Sequence, residues 1–353
     1  MKVGIHKGAQ GVLDDFLKKY ALILEYNNID YIVLDINDQN FWDHLNECDL
    51  FIIRSQTMDG LHEIALTLIP IIEKSLNIKT LPDFSTYWHY EDKIRQYFLL
   101  IQYDFPVVKS YVFWSKSKAI HWAHSTSYPK VFKLKKGAGA ANVKIIKSRK
   151  DAIKIIDQAF SDGFEAVPGY FYDYKKKLGN ISNFRILFQK TKRFPKILKK
   201  LTKAKKSIGR EYGYVFFQEF LPGNTFDVRI SVIGDIAFGF IRYVRKNDFR
   251  ASGSGKIDYN PELVDSRCIK IAFNVSKKLG FQSMAYDFIF DENNSPKIVE
   301  ISWTFVDKAI FSCYGYWDDK LIWHQGHFWP QYLQLKNSLN IPNFEQPPLD
   351  YFS

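Results

Sequence analysis

The sequence predicts a protein of two or three domains that combines an α/β unit with α+β units. Its 353 residues exceed what one ordinary hydrophobic core holds, and 46% of them are hydrophobic, which is ample for globular folding. Strands and helices alternate over residues 1–82, a pattern that favours a small parallel sheet. Later segments read as antiparallel hairpins, because aromatic and β-branched runs flank turn-forming residues.

The first unit, residues 1–82, carries the alternating pattern. Its predicted strands are Val3–His6, Tyr31–Leu34 and Asp49–Arg54, and its predicted helices are Val12–Asn27 and Leu61–Leu76. A glycine-bearing turn from Gly8 to Gly11 follows the first strand but contains no GxGxxG pattern. A dinucleotide site in this unit therefore has no support.

Two further units and a tail follow at residues 83–213, 214–335 and 336–353. The second unit has predicted helices and strands at Tyr90–Gln102, Val107–Phe113, Tyr128–Leu134, Val143–Lys147 and Asp151–Ser161. The third has predicted strands and one helix at Val215–Glu219, Phe226–Ile233, Ile236–Arg245 and Asp265–Leu279, with a hairpin after them. The Pro-rich tail is expected to be irregular.

That last hairpin brings two carboxylates together. Its arms, Met284–Phe290 and Lys297–Ser302, close about Asn293 and Asn294, which places Asp287 opposite Glu300. Directly opposed residues have Cβ atoms about 4.5–5.5 Å apart, where like charges repel, so a cation is expected between them. Two or three oxygen ligands with open positions for phosphate are the usual way in which proteins hold Mg²⁺. The hairpin therefore predicts a site for a metal-bound nucleotide.

The net charge of +11 comes from one basic segment. Residues 174–210 hold 14 Lys or Arg and no Asp or Glu, so the rest of the chain has a net charge of −3. An apolar stripe at Ile197, Leu198, Leu201 and Ala204 predicts a basic helix that faces a membrane surface or a polyanion. A solvated helix packed on its own domain explains the same pattern. Nucleic-acid binding is not expected, because no stacking platform or known module accompanies the charge.

Cysteine use and the lack of a long apolar run favour a cytoplasmic protein. Cys48, Cys268 and Cys313 show no metal-ligand spacing, and a sparse, odd count is typical of a reducing cytosol. The N-terminal residues read as a strand and lack the apolar region of a signal peptide. No apolar stretch is long enough for a transmembrane helix. Contact of the protein with the inner face of the membrane would therefore be peripheral, through the basic segment at residues 174–210.

Two lysines stand at positions suited to phosphate. Lys93 lies on a helix after Glu91 and Asp92, and Lys133 lies on an apolar strand just before the loop KKGAGAAN at residues 135–142. Small residues allow backbone N–H groups to approach phosphate oxygens, and flanking lysines add positive charge. The loop is not a P-loop, because no GK[ST] opens a helix after it.

The remaining motifs follow in a fixed order. The segment QEFLPG at residues 218–223 precedes the strand residues DVR at 227–229, and the pair Asp287 and Glu300 comes last. With the two lysines, this order resembles the ATP-grasp superfamily over most of residues 1–330. The resemblance implies an ATP-grasp fold, in which a Rossmann-like N-terminal domain precedes two α+β subdomains that clamp ATP and Mg²⁺.

The resemblance also implies roles for individual residues. Phosphate contacts fall to Lys93 and Lys133, the second of which also contacts the adenine. The flexible lid over the phosphates consists of Gly137, Ala138, Gly139 and Ala140. The adenine edge is read by Gln218, Glu219 and Leu221, partly through backbone groups. The implied metal ligands are Asp287, Glu300 and Ser302. Ser302 stands where the family usually has Asn, and its hydroxyl is a weaker ligand, which leaves a second metal ion open.

The ribose contact and the catalytic arginines are less regular. The family often has an acidic residue near Thr225, and Asp227 is the candidate here, although closing the Gly234–Asp235 turn also places Asp227 opposite Arg242. A ribose contact and a cross-strand ion pair both remain open. Some relatives have an Arg at the position of Ala285. The candidates that would stabilise an acyl phosphate are instead Arg229, Arg245 and Arg250.

Three functions remain open. The resemblance to ribosomal-protein glutamate ligases, through residues 227–229 and 247–252, favours an ATP-dependent ligase that joins a carboxylate to an amine. Residues 315–318 and 323–330 resemble ATP-grasp proteins of polysaccharide gene clusters, which implies an acidic sugar as one substrate. His324 and His327, which lie there among tryptophans, are interpreted as packing or substrate contacts rather than metal ligands. The alternatives are a kinase on the same fold and a non-catalytic nucleotide-binding module.

Overall fold

The computed structural model describes residues 1–8, 11–55, 61–136, 142–165, 210–245, 251 and 255–352. Four sheets organise these residues: a parallel sheet from the N-terminal part, two larger sheets from the rest of the chain, and a two-stranded sheet formed by Phe164–Glu165 and Arg210–Glu211. The described helices cover these sheets, and short 3₁₀ helices lie at Pro261–Leu263 and Leu349–Phe352.

The N-terminal sheet is parallel, in the order β2–β1–β3–β4. Its elements are β1 (Lys2–His6), α1 (Asp15–Tyr26), β2 (Asp30–Leu34), α2 (Phe41–Asn46), β3 (Leu50–Ile52), α3 (Leu61–Ser75) and β4 (Lys79–Leu81). Helix α1 begins later than the predicted Val12, because the Asp14 side chain accepts hydrogen bonds from the backbone N–H groups of Phe16 and Leu17. The alternating pattern thus produces the expected parallel α/β unit, with α2 and β4 added.

The second sheet is antiparallel, in the order β5–β10–β6–β7. The elements of this region are α4 (Phe84–Tyr87), α5 (Lys93–Gln102), β5 (Ser110–Phe113), α6 (Lys116–Ser125), β6 (Lys130–Lys133), β7 (Val143–Ile146), α7 (Arg149–Ala159), β8 (Phe164–Glu165), β9 (Arg210–Glu211) and β10 (Val215–Glu219). Strand β10 has the predicted bounds, but it pairs with β5 and β6 in this sheet rather than with the strands of the predicted third unit. Its Val215 and Phe217 complete the core under α6 and α7.

The third sheet has the order β15–β14–β11–β12–β16–β17, with β13 paired to β12. Its region contains β11 (Phe226–Ile233), β12 (Ile236–Tyr243), β13 (Ile257–Asp258), α8 (Ser266–Leu279), β14 (Ser283–Phe290), β15 (Pro296–Ser302), α9 (Asp307–Phe311), β16 (Gly315–Asp318), β17 (Trp323–Gln325) and α10 (Pro330–Leu339). Helix α10 enters the tail that was predicted to be irregular and ends at Asn340, which adopts a left-handed conformation.

The hairpin of β14 and β15 pairs Asp287 with Glu300, as predicted. The register on the turn side differs, because Phe288 pairs with Ile298 and leaves Val299 as an extra residue. A β-bulge of this kind inserts one residue into one strand and changes the direction of nearby side chains. The backbone of Ile298 also bonds to Pro106 and Val108, which ties the bulged strand to the second region.

Among the described residues, no helix is both long enough and apolar enough to span a bilayer. Cys48, Cys268 and Cys313 are free and buried. Burial raises the pKa of Cys48 to about 11 and that of Cys313 to about 12, so neither is a thiolate at neutral pH. The three thiols therefore behave as small core side chains.

Candidate active site

A cleft lies between the second and third sheets. Its walls are contributed by α5, by the β6–β7 hairpin, by the segment after β10 and by the third sheet. Its apolar lining residues include Val131, Val143, Leu221, Phe226, Ile289 and Val299. Its charged lining residues are Lys93, Lys133, Glu219, Asp227, Asp287 and Glu300. The predicted site residues from four separate parts of the sequence therefore meet here.

Asp287 lies between two arginines. Arg229, directly opposite on β11, donates from Nε to Oδ1 at 2.7 Å and from Nη2 to Oδ2 at 2.8 Å. Arg242 on β12 approaches Oδ2 to 2.9 Å. Burial by itself would raise the pKa of Asp287, but the two guanidinium charges outweigh burial and hold it well below its usual range. Asp287 is therefore a permanently ionised, buried carboxylate.

Asp227 forms the cross-strand ion pair that the Gly234–Asp235 turn allowed. Arg242 donates from Nε to Oδ1 at 2.7 Å and from Nη2 to Oδ2 at 2.6 Å. Burial, together with the nearby Asp287 charge, raises the pKa of Asp227 despite this contact. Asp227 also lines the cleft, so the ion pair does not exclude a ribose contact. The ribose contact stays a proposal.

Glu300 has a different cation. The Lys93 ammonium lies 3.0 Å from Oε1 of Glu300, at the start of α5, whose first turn is capped by Asp92. Burial disfavours the charged form of Lys93, but the carboxylates of Glu300, Glu91 and Asp92 together outweigh burial, and the pKa of Lys93 is raised. The cation expected between the two carboxylates is thus supplied in part by protein side chains.

Lys133 is the unbalanced cation of the cleft. It is 6% exposed, and within the described part of the chain no carboxylate lies at ion-pair distance from its ammonium. Burial lowers the pKa of Lys133 to about 8, so the group remains largely charged at neutral pH. A buried ammonium at the end of an apolar strand is suited to an anionic ligand.

The end of β10 carries a second polar group of side chains. Glu219 lines the cleft and contacts Lys130 on β6 and Tyr111 on β5, while Gln218 donates to the Ser110 hydroxyl at 3.1 Å. Sequence reasoning missed Lys130 and Tyr111. Alternation along Tyr128–Leu134 shows that Lys130 and Lys133 lie on opposite faces, but the partner of β6 cannot be read from the sequence.

Some predicted residues are not brought into the cleft. The Ser302 hydroxyl donates to the backbone carbonyl of Thr304 at 2.9 Å, and neither Ser302 nor the half-buried Arg245 lines the cleft. The lid residues Gly137 to Ala140 and Arg250 lie outside the described residues. The hydroxyl of Ser302, the predicted third metal ligand, is thus hydrogen-bonded to the backbone two residues further along the chain.

Histidines do not form a metal site in the described ranges. No group of three or more His, Cys, Asp or Glu side chains there is arranged to hold a metal ion. The His324 ring contacts Asp318 at 2.8 Å and stacks on Tyr316, and Nδ1 of His327 lies 2.9 Å from the Phe311 carbonyl. Both rings thus have partners within the protein, and their role in packing or in substrate contact stays a prediction.

The chain is similar to solved structures over most of its length. It is similar to N5-carboxyaminoimidazole ribonucleotide synthetase from Thermotoga maritima, with a TM-score of 0.59, 13% identity and coverage of 97% of this chain and 76% of that one. The biotin carboxylase domain of Hydrogenobacter thermophilus 2-oxoglutarate carboxylase, solved with MgADP and bicarbonate, gives a TM-score of 0.58, 12% identity and coverage of 96% and 70%. D-alanine–D-alanine ligase from Bacillus anthracis, complexed with ATP, gives a TM-score of 0.52 and 12% identity, with coverage of 86% of each chain. No protein-family model and no curated protein matches the sequence.

These likenesses define the class of architecture: an N-terminal α/β domain followed by two α+β lobes that enclose a cleft. The solved structures have the ATP-grasp fold, and this chain has the same fold. The predicted fold class is therefore confirmed, including the Rossmann-like N-terminal domain. At 12% and 13% identity the likeness is one of fold, so substrates and residue roles rest on the site itself.

Proposed function

We propose that the protein is an ATP-dependent ligase that joins a carboxylate to an amine and releases ADP and phosphate. The observation that carries the proposal is the pair Asp287 and Glu300, directly opposed on a hairpin in a cleft that is lined by charged and apolar side chains. Two similar structures, a D-alanine–D-alanine ligase with ATP and a biotin carboxylase domain with MgADP, support the same class of reaction.

The cleft has separate surfaces for the two halves of ATP. Val131 and Val143 on one lobe and Ile289 and Val299 on the other offer apolar surfaces suited to a flat base. Lys133 and Lys93 stand beside the carboxylate pair, where a triphosphate would bring negative charge. These surfaces support a nucleotide orientation in which the base lies against the end of β10 and the phosphates lie toward the hairpin. Gln218, Glu219 and Leu221 then read the adenine edge.

Mg²⁺ fits the donor chemistry of the hairpin. An ionised carboxylate has about four lone-pair sites. Asp287 uses three of them for Arg229 and Arg242, and Glu300 uses one for Lys93, so each carboxylate retains acceptor capacity. Hard oxygen ligands that leave positions for phosphate suit this ion. When bound, Mg²⁺ supplies neutralisation of the charge between the β- and γ-phosphates.

The residues of the cleft then favour phosphoryl transfer to a carboxylate. An oxygen of the substrate carboxylate attacks the γ-phosphorus, the bond to the β-phosphate oxygen breaks, and ADP leaves with that electron pair. The amine attacks the carbonyl carbon of the resulting acyl phosphate, loses a proton and expels phosphate. Lys93 and Lys133 hold the phosphate oxygens. Arg229, Arg245 and Arg250 are the proposed groups for stabilising the transferred phosphoryl, although neither Arg229 nor Arg245 lines the cleft.

We propose an acidic sugar of a polysaccharide precursor as the carboxylate substrate, with ATP supplied from the cytoplasm. The support is the sequence likeness at residues 315–318 and 323–330, and the aromatic residues between Trp303 and Trp329 that would stack on sugar rings. The basic segment at 174–210 would attract such a substrate or an anionic membrane surface. That segment lies almost wholly outside the described residues, and its role depends on its charge alone.

A product screen tests the proposal. Purified protein is incubated with MgATP and uronic acids crossed with amino acids, ammonia and small amines, and ADP and free phosphate are measured. Equal amounts of ADP and phosphate, formed only when both substrates are present, are the expected result. ADP with a stable phosphorylated product would show a kinase instead, and failure to bind MgATP would refute the ligase.

A further inference from the structure

The start of α5 and the end of β6 meet at the backbone of Lys135. The backbone N–H of Lys93, the first residue of α5, donates to the Lys135 carbonyl at 3.1 Å. The backbone N–H of Lys135 itself donates to the Tyr214 hydroxyl at 2.8 Å. Lys133, the last residue of β6, lies two residues before Lys135. The backbone of one residue thus connects the two elements that carry Lys93 and Lys133.

Tyr214 is itself held in place by further contacts. Its hydroxyl donates to Oε2 of Glu211 at 3.0 Å, and both side chains are buried. Burial and the Glu211 charge raise the pKa of Tyr214 well above its usual range, so the hydroxyl keeps the proton that it donates. The Tyr214 ring packs against Ile94 of α5 and Phe216 of β10. Neither Tyr214 nor Glu211 lines the cleft, so an effect of either on a ligand acts through Lys135.

Lys93 and Lys133, the two phosphate lysines of the proposed function, repel each other. Both are buried, and burial lowers the pKa of Lys133. The nearby Lys93 charge lowers that pKa further, although Glu300 acts in the opposite direction. Like charges interact strongly where water is largely excluded, so the two ammonium groups favour a wider separation. The backbone beneath the two side chains opposes this separation.

We propose that Glu211 and Tyr214 are positioning residues for phosphate binding. They fix the backbone of Lys135, and this backbone sets the spacing of the two phosphate lysines. Glu211 orients the Tyr214 hydroxyl, the hydroxyl holds the N–H of Lys135, and the carbonyl of Lys135 holds the start of α5. The inference rests on the proposed binding of ATP in this cleft and adds two residues that act on the phosphates without touching them.

The probes are MgATP and adenosine, which carries the base and ribose of ATP without its phosphates. Dissociation constants for both are measured by calorimetry on the full chain, with AMP in place of adenosine if adenosine binds too weakly to measure. Tyr214→Phe keeps the ring but removes the hydroxyl that holds Lys135. A hydrogen bond from a charged lysine is then lost, so the affinity for MgATP relative to adenosine should fall about tenfold to a hundredfold.

Two changes at Glu211 and one matched control complete the test. Glu211→Gln keeps an acceptor for the Tyr214 hydroxyl and should retain most of the affinity ratio, whereas Glu211→Met removes the acceptor and should lower the ratio about threefold. Tyr20→Phe also removes a buried hydroxyl that donates to a side-chain oxygen, that of Gln334, but Tyr20 does not line the cleft. This control should leave the ratio unchanged. A purely structural role of Tyr214 would lower the melting temperature without changing the ratio.

The outcomes separate this inference from the proposed function. If the wild-type protein does not bind MgATP, the proposed function is wrong and this inference with it. If it binds MgATP but Tyr214→Phe and Glu211→Met keep the wild-type ratio, the ligase proposal stands and the positioning role is refuted. An equal fall of the ratio in Tyr20→Phe would also refute that role, because the effect would then be a general loosening. Should Glu211→Met fail to fold by circular dichroism, Tyr214→Phe decides the question.

Discussion

Replacing Asp287 by Asn tests whether one carboxylate serves both the fold and the reaction. The substitution keeps the size of the side chain but removes the charge that two arginines contact at 2.7–2.9 Å. If Asp287 holds Mg²⁺ at the phosphates, ADP formation should be lost. The same change should also weaken the third sheet, so loss of activity by itself is not sufficient evidence.

The size of the structural effect follows from burial. Asp287 is 7% exposed and Arg242 is 7% exposed, so removal of one negative charge leaves guanidinium charge out of water. Breaking a buried ion pair by removing one partner costs about 3–5 kcal/mol. For a domain of this size that corresponds to a fall in melting temperature on the order of 10 °C. Asp227, which still faces Arg242, lessens the loss by sharing the remaining positive charge.

The assay therefore separates stability from binding. Melting temperatures are measured with and without Mg²⁺ and a non-hydrolysable ATP analogue, and ADP release is measured well below the melting point. The wild-type protein should gain about 2.7 kcal/mol at a ligand concentration of 100 times Kd, and Asp287→Asn should gain almost nothing. Asp307→Asn, which loses an ion pair with Lys19 far from the cleft, serves as the matched control and should keep full activity. Wild-type ADP release by folded Asp287→Asn would refute the reasoning.

Three further results are expected. Lys133→Met should abolish nucleotide binding. It should also raise the free energy of unfolding at pH 7 by an amount on the order of 3 kcal/mol, because the pKa of Lys133 in the folded protein, about 8, lies below the value of about 10.4 for an unfolded chain. The unfolded state binds more protons there, so wild-type stability rises between pH 8 and about 10.4, and denaturant titrations should show the difference shrinking over that range. Glu300→Gln keeps an acceptor for Lys93 but removes the counter-charge of this buried ammonium, so it should lose ADP release in a turnover assay together with about 2–3 kcal/mol of stability. Gly315→Ala would place a Cβ 2.2 Å from the His324 carbonyl oxygen and should lower the melting temperature, whereas Gly8→Ala, at 3.5 Å from its nearest neighbour, should not.

Local patterns predicted the parts of the fold that depend on alternation and turns. Strands Val215–Glu219 and Phe226–Ile233 have the predicted bounds, since period-two alternation fixes which face is apolar. The turn at Gly234 and Asp235 fixed the register that pairs Asp227 with Arg242. Such features are set by neighbours a few residues apart, which the sequence displays directly.

Features that depend on strand neighbours were not predictable in the same way. Arg229 contacts Asp287 only because β11 lies beside β14, and Glu219 contacts Lys130 only because β10 lies beside β6. The bulge at Val299 is a further case. The pairing of Asp287 with Glu300 was predicted from a hairpin that closes symmetrically about Asn293 and Asn294. In the structure the strand register near the turn is shifted by one residue, and the extra residue Val299 brings Asp287 and Glu300 back into register.

The charges of the cleft have one consequence for how its ligand binds. Each acidic side chain there already has a cationic partner in the described contacts, in the pairs Asp227–Arg242, Asp287–Arg229, Glu300–Lys93 and Glu219–Lys130. Among the described side chains that line the cleft, Lys133 then remains as the one surplus positive charge. A free divalent cation gains little from such a cleft, because every carboxylate is neutralised nearby, and a metal-free triphosphate brings more negative charge than one lysine balances. A metal-bound triphosphate would supply both signs at once, since Asp287 and Glu300 would hold the metal while Lys133 would balance phosphate charge. The paired charges thus favour recognition of metal and nucleotide as one ligand.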